Sequence, residues 1–222
     1  MFIQESKILQ VADLVIACSE RDRLRYMEMG AKNVIFYPNI YPIREFQPGP
    51  KDNNPTISIV FRDQWGAKNA KYFNTIFKAL SKLNKRIKVY VIGMKPQQVS
   101  GNIELEHHEY IPSKIDYMRL LGKSWVGINI GIHKGGSNER KYDYAMAGVV
   151  VFSDVLGCKG ELLPHEYTFL DYNDLAAKLE QFIDFGQKKI IEMGLENRKQ
   201  AFLIAEKQRD IVSRSITSLM TT

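Results

Sequence analysis

Residues 138–157, NERKYDYAMAGVVVFSDVLG, place an amphipathic helical pattern directly before an apolar strand pattern. The pattern predicts a helix over 138–147, in which Ala145 and Ala147 allow close packing on a sheet. It also predicts a strand over 149–153, where the run VVVF is apolar on both faces, as in strands covered by helices on both sides. A helix that leads into a buried strand is typical of a parallel α/β sheet.

The same alternation extends along the chain on both sides of this stretch. Further strands are predicted over 13–19, 33–37, 56–62, 87–93, 103–111, 125–131 and 167–171, and further helices over 20–29, 68–83, 113–121, 173–185 and most of 187–220. Strands separated by helices of roughly 10–15 residues indicate βαβ units. We therefore predict an α/β fold with a Rossmann-like, doubly wound parallel sheet.

Proline positions suggest how the chain is divided. Five of the eight prolines fall between positions 38 and 55, where they withhold backbone donors and restrict their neighbours. The sequence predicts four parts: a strand–helix–strand unit over 1–37, a linker over 38–55, a Rossmann-like domain over 56–186 and a helical tail over 187–222.

Composition excludes several classes of protein. Of the 222 residues, 45% are hydrophobic and 25% charged, which excludes a disordered chain. No apolar run reaches the ~18 residues that a membrane span needs. The first residues lack a secretory-signal pattern, and two cysteines are too few for a disulfide or zinc framework, so we expect a cytoplasmic protein. The net charge of +6 favours an anionic partner: a nucleotide, an acidic membrane surface or a nucleic acid.

Two cations lie at the end of one predicted strand. Doubly wound sheets bind ligands at the carboxyl ends of their strands, near the switch point. Arg62 closes the strand over 56–62, and Lys68 opens the helix that follows. An Arg fork, a Lys charge and a helix N-terminus together suit a diphosphate. The alternative is that both are solvated loop charges.

A glycine turn follows another predicted strand. The segment from His133 through Gly135, Gly136, Ser137 and Asn138 leads into the helix over 138–147. Two glycines let the backbone approach a ligand, and Ser137 or Asn138 can cap the helix. His133 is placed to reach a sugar or a phosphate. The turn matches neither the Walker pattern nor G-x-G-x-x-G, so an ordinary connection is the alternative.

Asp143 lies in the second turn of that helix, among Ala, Met and Tyr residues. A carboxylate there can accept hydrogen bonds from two vicinal hydroxyls, such as those of a ribose. The alternative is a surface aspartate that pairs with Lys141 or Arg140.

Four collinear segments resemble GT-B glycosyltransferases, most closely the retaining family 4. The string at 138–157 is similar to that family's K-(L/F)-x-E-(Y/A)-M-A-x-G-x-P-V-V, and FRDQWGAKNA at 61–70 to its G-R-(L/F)…K-(G/N) segment. VYVIGMKP at 89–96 is similar to its apolar strand ending in G-x-G-P. Residues 12–48 resemble the segment that precedes these motifs, which contains P-N-G and ends in F-x-P.

The resemblance implies roles for individual residues. Arg62 and Lys68 stand where the family binds the donor diphosphate and stabilises the leaving group. Asp143 stands where the family has a Glu that holds the ribose hydroxyls.

For the rest of the donor, the resemblance implies that Gly135, Gly136 and Ser137 line the sugar and phosphates through backbone amides. Gly93 and Ile111 would flank the base.

Two departures from the family pattern stand out. Where family members carry a second Glu, eight positions before the ribose carboxylate, this chain has Gly135, and the usual Pro is Val150. A GT-B enzyme also has two Rossmann-like domains with the active site between them. The resemblance implies that this chain holds the second domain, together with a remnant of the first, acceptor-binding domain over 1–37.

The function implied is transfer of a sugar from a UDP- or GDP-sugar to an unknown acceptor, with retention of configuration and without a metal or other cofactor. Partners implied are an acceptor-domain subunit or a second copy of the chain. The basic tail suggests peripheral membrane contact, although its mixed charges better suit a solvated face. The alternatives are a non-catalytic donor-binding subunit and a basic nucleic-acid-binding protein, which is disfavoured because clustered basic–aromatic motifs are lacking.

Overall fold

The computed structural model describes residues 2–17, 20–37, 46–61, 67–96, 99, 101–131, 139–155 and 161–221, with the backbone alone described for 2–6, 20–21, 67–72 and 139. The helices and strands in chain order are α1 (Phe2–Val11), β1 (Val15–Ala17), α2 (Glu20–Glu28), β2 (Val34–Phe36), β3 (Thr56–Phe61), α3 (Ala67–Leu80), β4 (Ile87–Gly93), β5 (Ile103–His108), α4 (Lys114–Gly122), β6 (Val126–Asn129), α5 (Glu139–Met146), β7 (Val150–Asp154), β8 (Glu166–Phe169), α6 (Tyr172–Ile183) and α7 (Gly186–Met220).

Six strands form one parallel sheet in the order β5-β4-β3-β6-β7-β8, and β1 and β2 form a second, two-stranded parallel sheet. The chain proceeds outward from β3 to β5, returns to β6 beside β3, and proceeds outward on the other side to β8. This order places the switch point between β3 and β6. The predicted α/β, Rossmann-like, doubly wound parallel sheet is confirmed.

The larger sheet is buried on both faces. Every residue of β3 is buried. Ile57, Ile59 and Phe61 pack in a first apolar cluster with residues of α3 and α6. Val60 packs in a second apolar cluster, on the other face of the sheet, with residues of α4, α5 and α7. This two-sided burial explains why the strand sequences are apolar at successive positions rather than alternating.

Most predicted elements are present, with differences at their ends. The strand over 87–93 has the predicted bounds. Ser113 caps α4 by accepting a hydrogen bond from the amide of Asp116 at 3.2 Å, as its capping pattern predicts. The strand predicted over 103–111 ends at His108, and Asp171, predicted as the end of a strand, is instead the N-cap of α6. Helix α1 is an element that the sequence analysis missed.

The segment at 46–55 and helix α7 both pack on the larger sheet's helices. Phe46 is buried in the second cluster, and the Nζ of buried Lys51 donates to the carbonyl of Gly148 at 2.7 Å. On α7, Gly194 approaches the same carbonyl so closely that a Cβ would lie 2.1 Å from the oxygen. The division of the chain into separate domains stays a prediction. Among the described residues, no helix has both the length and the apolar character to cross a membrane.

Candidate functional site

The carboxyl ends of β3 and β6 separate at the switch point. The backbone ladder joins the two strands as far as the pair Ile59–Ile128. Beyond it, the hydroxyl of Tyr144 lies between the strands, where it accepts from the amide of Val60 at 3.0 Å and donates to the carbonyl of Ile128 at 3.2 Å. Because Tyr144 belongs to α5, this buried side chain ties the helix to both strands.

Arg140, one turn earlier on α5, spans the same two strand ends. Its Nη1 donates to the carbonyl of Val60 at 2.8 Å, and its Nη2 to the carbonyl of Ile130 at 3.0 Å. The sequence suggests Arg140 only as a partner for Asp143. The structure instead shows its guanidinium at the switch point, where the ligands of doubly wound sheets bind.

Asp143 is held by two side chains of α4. Its Oδ1 accepts from the Nζ of Lys114 at 2.6 Å, and its Oδ2 from the hydroxyl of Tyr117 at 3.2 Å. Lys114 opens α4, which follows β5, so these contacts place the carboxylate near the carboxyl edge of the sheet. The ion pair is therefore with Lys114, whereas Lys141, one of the two partners considered from sequence, pairs elsewhere.

Burial separates the roles of these two partners. The side chain of Lys114 is 44% exposed, so it meets the carboxylate from the solvent side. Burial raises the pKa of the Tyr117 hydroxyl well above its usual range, and the neighbouring negative charge of Asp143 adds to this rise. Tyr117 therefore stays a neutral hydrogen-bond donor at ordinary pH.

A buried polar network fixes the rotation of α5 on the sheet. The Nζ of Lys141 donates to Oε2 of Glu166 at 3.1 Å, and both side chains are almost fully buried. The other oxygen of Glu166 accepts from Ser153 at 2.7 Å, and Ser153 accepts from Asn129 at 3.1 Å. The network thus crosses β6, β7 and β8. Residues two apart on a helix face different directions, so Lys141 pointing inward leaves Asp143 facing α4.

Gly93 and Ile111 are predicted to flank a base. They lie on the β4 and β5 side of the switch point. Gly93 ends β4 with φ +104°, a conformation that favours glycine. Its carbonyl accepts from Nε2 of His107 at 2.7 Å. Ile111 is partly buried against the second apolar cluster, just before α4. Gly93 at the end of β4 and Ile111 after β5 therefore lie at the same edge of the sheet as Asp143.

The remaining predicted residues are less fully described. Lys68 lies in the first turn of α3, with only its backbone described. Six predicted residues lie outside the described residues: Arg62, His133, Gly135, Gly136, Ser137 and Asn138. Their roles, and their convergence on Asp143, stay predictions. Within the described parts of the chain, no group of three His, Cys, Asp or Glu side chains is arranged to hold a metal ion.

Solved structures share this arrangement of strands and helices. A trehalose-6-phosphate synthase studied with bisubstrate glycomimetics has a TM-score of 0.70 and 16% identity, over 97% of this chain and 63% of that one. HepE of Anabaena, in complex with UDP and glucose, has a TM-score of 0.66 and 12% identity, over 96% of this chain and 66% of that one. The chain has part of the GT-B fold.

A third structure with the GT-B fold, the α,α-trehalose 6-phosphate synthase of Burkholderia multivorans, has a TM-score of 0.69 and 14% identity, over 99% of this chain and 62% of that one. At these identities the likeness shows the fold alone. The chain spans less than two thirds of the length of each of these three structures. No protein-family model matches the sequence, and no curated protein is detectably similar to it.

Proposed function

We propose that this chain is the donor-binding part of a glycosyltransferase that moves a sugar from a nucleotide diphosphate sugar to an acceptor. The observation that carries the proposal is the position of Asp143, an oriented carboxylate at the carboxyl edge of a GT-B sheet beside its switch point. HepE, which shares the fold, was solved with UDP and glucose and with UDP-glucose. A UDP- or GDP-sugar is the donor that we propose here.

Binding of the donor divides between two groups of residues. Asp143 accepts hydrogen bonds from the pentose hydroxyls, because a carboxylate has two oxygens with several acceptor positions. Arg62 and Lys68, which follow β3 in the sequence, neutralise the diphosphate. The base lies beside Gly93 and Ile111.

Loss of the nucleoside diphosphate is the step that the protein must assist. Negative charge develops on the diphosphate as the bond to the sugar breaks, and fixed cations stabilise it most where water is excluded. Arg62, Lys68 and the backbone amides before α5 supply this stabilisation, so the proposed transfer needs no metal. Retention of configuration is part of the same proposal and rests on the resemblance to family 4.

The test is a thermal-shift measurement with UDP- and GDP-sugars. A bound donor raises the melting temperature by mass action. We expect such a rise with one of these donors, and we expect the double variant Arg62→Ala/Lys68→Ala to abolish it. The matched control is Lys85→Ala/Arg86→Ala, which removes the same charge at the amino end of β4. No shift with any nucleotide sugar would contradict the proposal.

A second candidate function is that of a donor-binding subunit that acts only with a separate acceptor-binding subunit. This candidate rests on the resemblance given above, in which the chain matches the second of the two Rossmann-like domains of a GT-B enzyme. Donor binding is expected in both cases. Transfer of labelled sugar to small acceptors by the purified chain supports the first candidate, whereas binding without transfer until a co-purified protein is restored supports the second.

A further inference from the structure

We propose that Tyr117 and Lys114 are positioning residues, which aim the Asp143 carboxylate at the pentose and thereby make the site prefer ribonucleotides over 2′-deoxyribonucleotides. The inference rests on the proposed function. It goes beyond that function because it assigns the choice of pentose to two residues of α4 that do not themselves form the acceptor.

Tyr117 fixes one oxygen of the carboxylate from the interior. Its ring packs against the second apolar cluster, and its hydroxyl donates to Oδ2 of Asp143 at 3.2 Å. An aromatic side chain packed in this way has little rotational freedom. The hydroxyl therefore restrains the second torsion angle of Asp143, which is otherwise broad for this residue type.

Lys114 holds the other oxygen from the solvent side. Its Nζ lies 2.6 Å from Oδ1 of Asp143 and 4.8 Å from the centre of the Tyr117 ring. The three side chains thus form one unit, in which the ammonium contacts both the carboxylate and the ring. Lys114 and Tyr117 are three residues apart on α4, so they share a helix face.

The carboxylate keeps capacity for a diol after these two contacts. A carboxylate has about four acceptor positions on its two oxygens, and Tyr117 and Lys114 use two of them. The Asp143 side chain is 23% exposed, so part of it remains open to an incoming ligand. Two neighbouring hydroxyls match the remaining positions, whereas a 2′-deoxyribose supplies one hydroxyl fewer.

The experiment compares dissociation constants of UDP and 2′-deoxy-UDP, or of the GDP pair if GDP binds more tightly, by titration calorimetry. We expect the unaltered chain to bind the ribonucleotide about ten-fold more tightly, as for a hydrogen bond to a charged group. Tyr117→Phe and Lys114→Met should each reduce this ratio by about three-fold or more, and Asp143→Ala should abolish it. Adding Tyr117→Phe to Asp143→Ala should leave the ratio of the two dissociation constants unchanged, because Tyr117 acts only through its contact with Asp143.

Two control variants separate positioning from general damage. Tyr90→Phe removes a hydroxyl that donates to Asp52 at 2.7 Å, and Lys85→Met removes an ammonium paired with Asp184. Neither lies at the carboxyl edge of the sheet, so both should leave the ratio unchanged.

Three results would overturn the inference in distinguishable ways. Equal binding of the two UDP forms by the unaltered chain contradicts the inference and leaves the proposed function standing. If Tyr117→Phe and Lys114→Met both leave the preference for the ribonucleotide unchanged, the inference is also contradicted and the proposed function still stands. Failure of the unaltered chain to bind either UDP or GDP overturns the proposed function as well.

Discussion

The ring of Tyr144 occupies the space that a side chain at position 127 would need. A Cβ built on Gly127 would lie 2.3 Å from Cδ1 of Tyr144, far inside the contact distance of two carbon atoms. Gly127 is in the middle of β6, where a glycine ordinarily weakens a strand. Here it lets the tyrosine cross β6 and place its hydroxyl between Val60 and Ile128 at the switch point.

Replacing Gly127 tests this packing directly. We expect Gly127→Ala to lower the free energy of unfolding by about 2–3 kcal/mol, because the added methyl group forces the buried ring to move. Urea denaturation measures the change. Gly49→Ala is the matched control, since a Cβ there meets nothing within 4 Å, and it should be neutral.

Removing the Tyr144 hydroxyl tests the bridge itself. Tyr144→Phe removes the hydroxyl that accepts from the amide of Val60, which should cost about 1–3 kcal/mol of unfolding free energy. Hydrogen exchange at that amide should accelerate more than exchange at Ile59. The control Tyr142→Phe also removes a buried phenol, which donates to the carbonyl of Glu161 at 3.3 Å, and it should leave Val60 exchange unchanged.

The sequence predicted the architecture well because strands buried on both faces produce apolar runs that local pattern can recognise. The strand over 87–93 is the clearest case, with polar residues before it and Gly93 at its end. Helix α1 was missed, and its apolar face is weak: Ile8 and Val11 are exposed while Leu9 is buried. The burial that stabilises such a helix comes from tertiary contacts.

The surroundings of Asp143 show what local pattern cannot supply. Sequence singled out this residue as a candidate ligand, but the partners considered were its neighbours Arg140 and Lys141. Lys114 and Tyr117 come from another helix, 29 and 26 residues away, so only the packing of α4 on α5 brings them close. Lys141 belongs instead to the buried network because helical geometry turns it toward Glu166 on β8.

The buried pair of Lys141 and Glu166 predicts that replacing Lys141 alone lowers the free energy of unfolding far more than replacing both residues. Lys141→Met leaves a buried carboxylate without its cation, and we expect a loss of about 3–5 kcal/mol of unfolding free energy. Adding Glu166→Gln should restore most of it, because the amide can still accept from Ser153. Lys85→Met, in an exposed pair with Asp184, should cost less than about 1 kcal/mol. Equal losses from the buried and exposed pairs would contradict this interpretation.

Buried Lys51 predicts that stability rises with pH. Burial lowers its pKa from the ordinary 10.5 to about 7 in the folded chain. Between these two values the unfolded chain binds more protons, so the contribution of Lys51 to stability increases as pH rises from about 7 toward 10.5, and the penalty is complete below pH 7.

Lys51→Met should therefore raise the free energy of unfolding at pH 7 by about 2–4 kcal/mol, after allowing for the lost hydrogen bond to Gly148. The gain should shrink steadily toward pH 10. Chemical denaturation of both chains across pH 6–10 measures the difference, with exposed Lys188→Met as the control. A gain that is independent of pH would contradict a lowered pKa of Lys51 in the folded chain.

The central claim is that a nucleoside diphosphate binds at the carboxyl edge of the six-stranded sheet, and a crystal structure of the chain with UDP or GDP tests it most directly. We predict that the pentose hydroxyls lie within hydrogen-bond distance of Asp143 and that the diphosphate lies between Arg62, Lys68 and the Gly135–Gly136 amides. A nucleotide bound on any other surface, or crystals that take up none at millimolar concentration, would contradict the account.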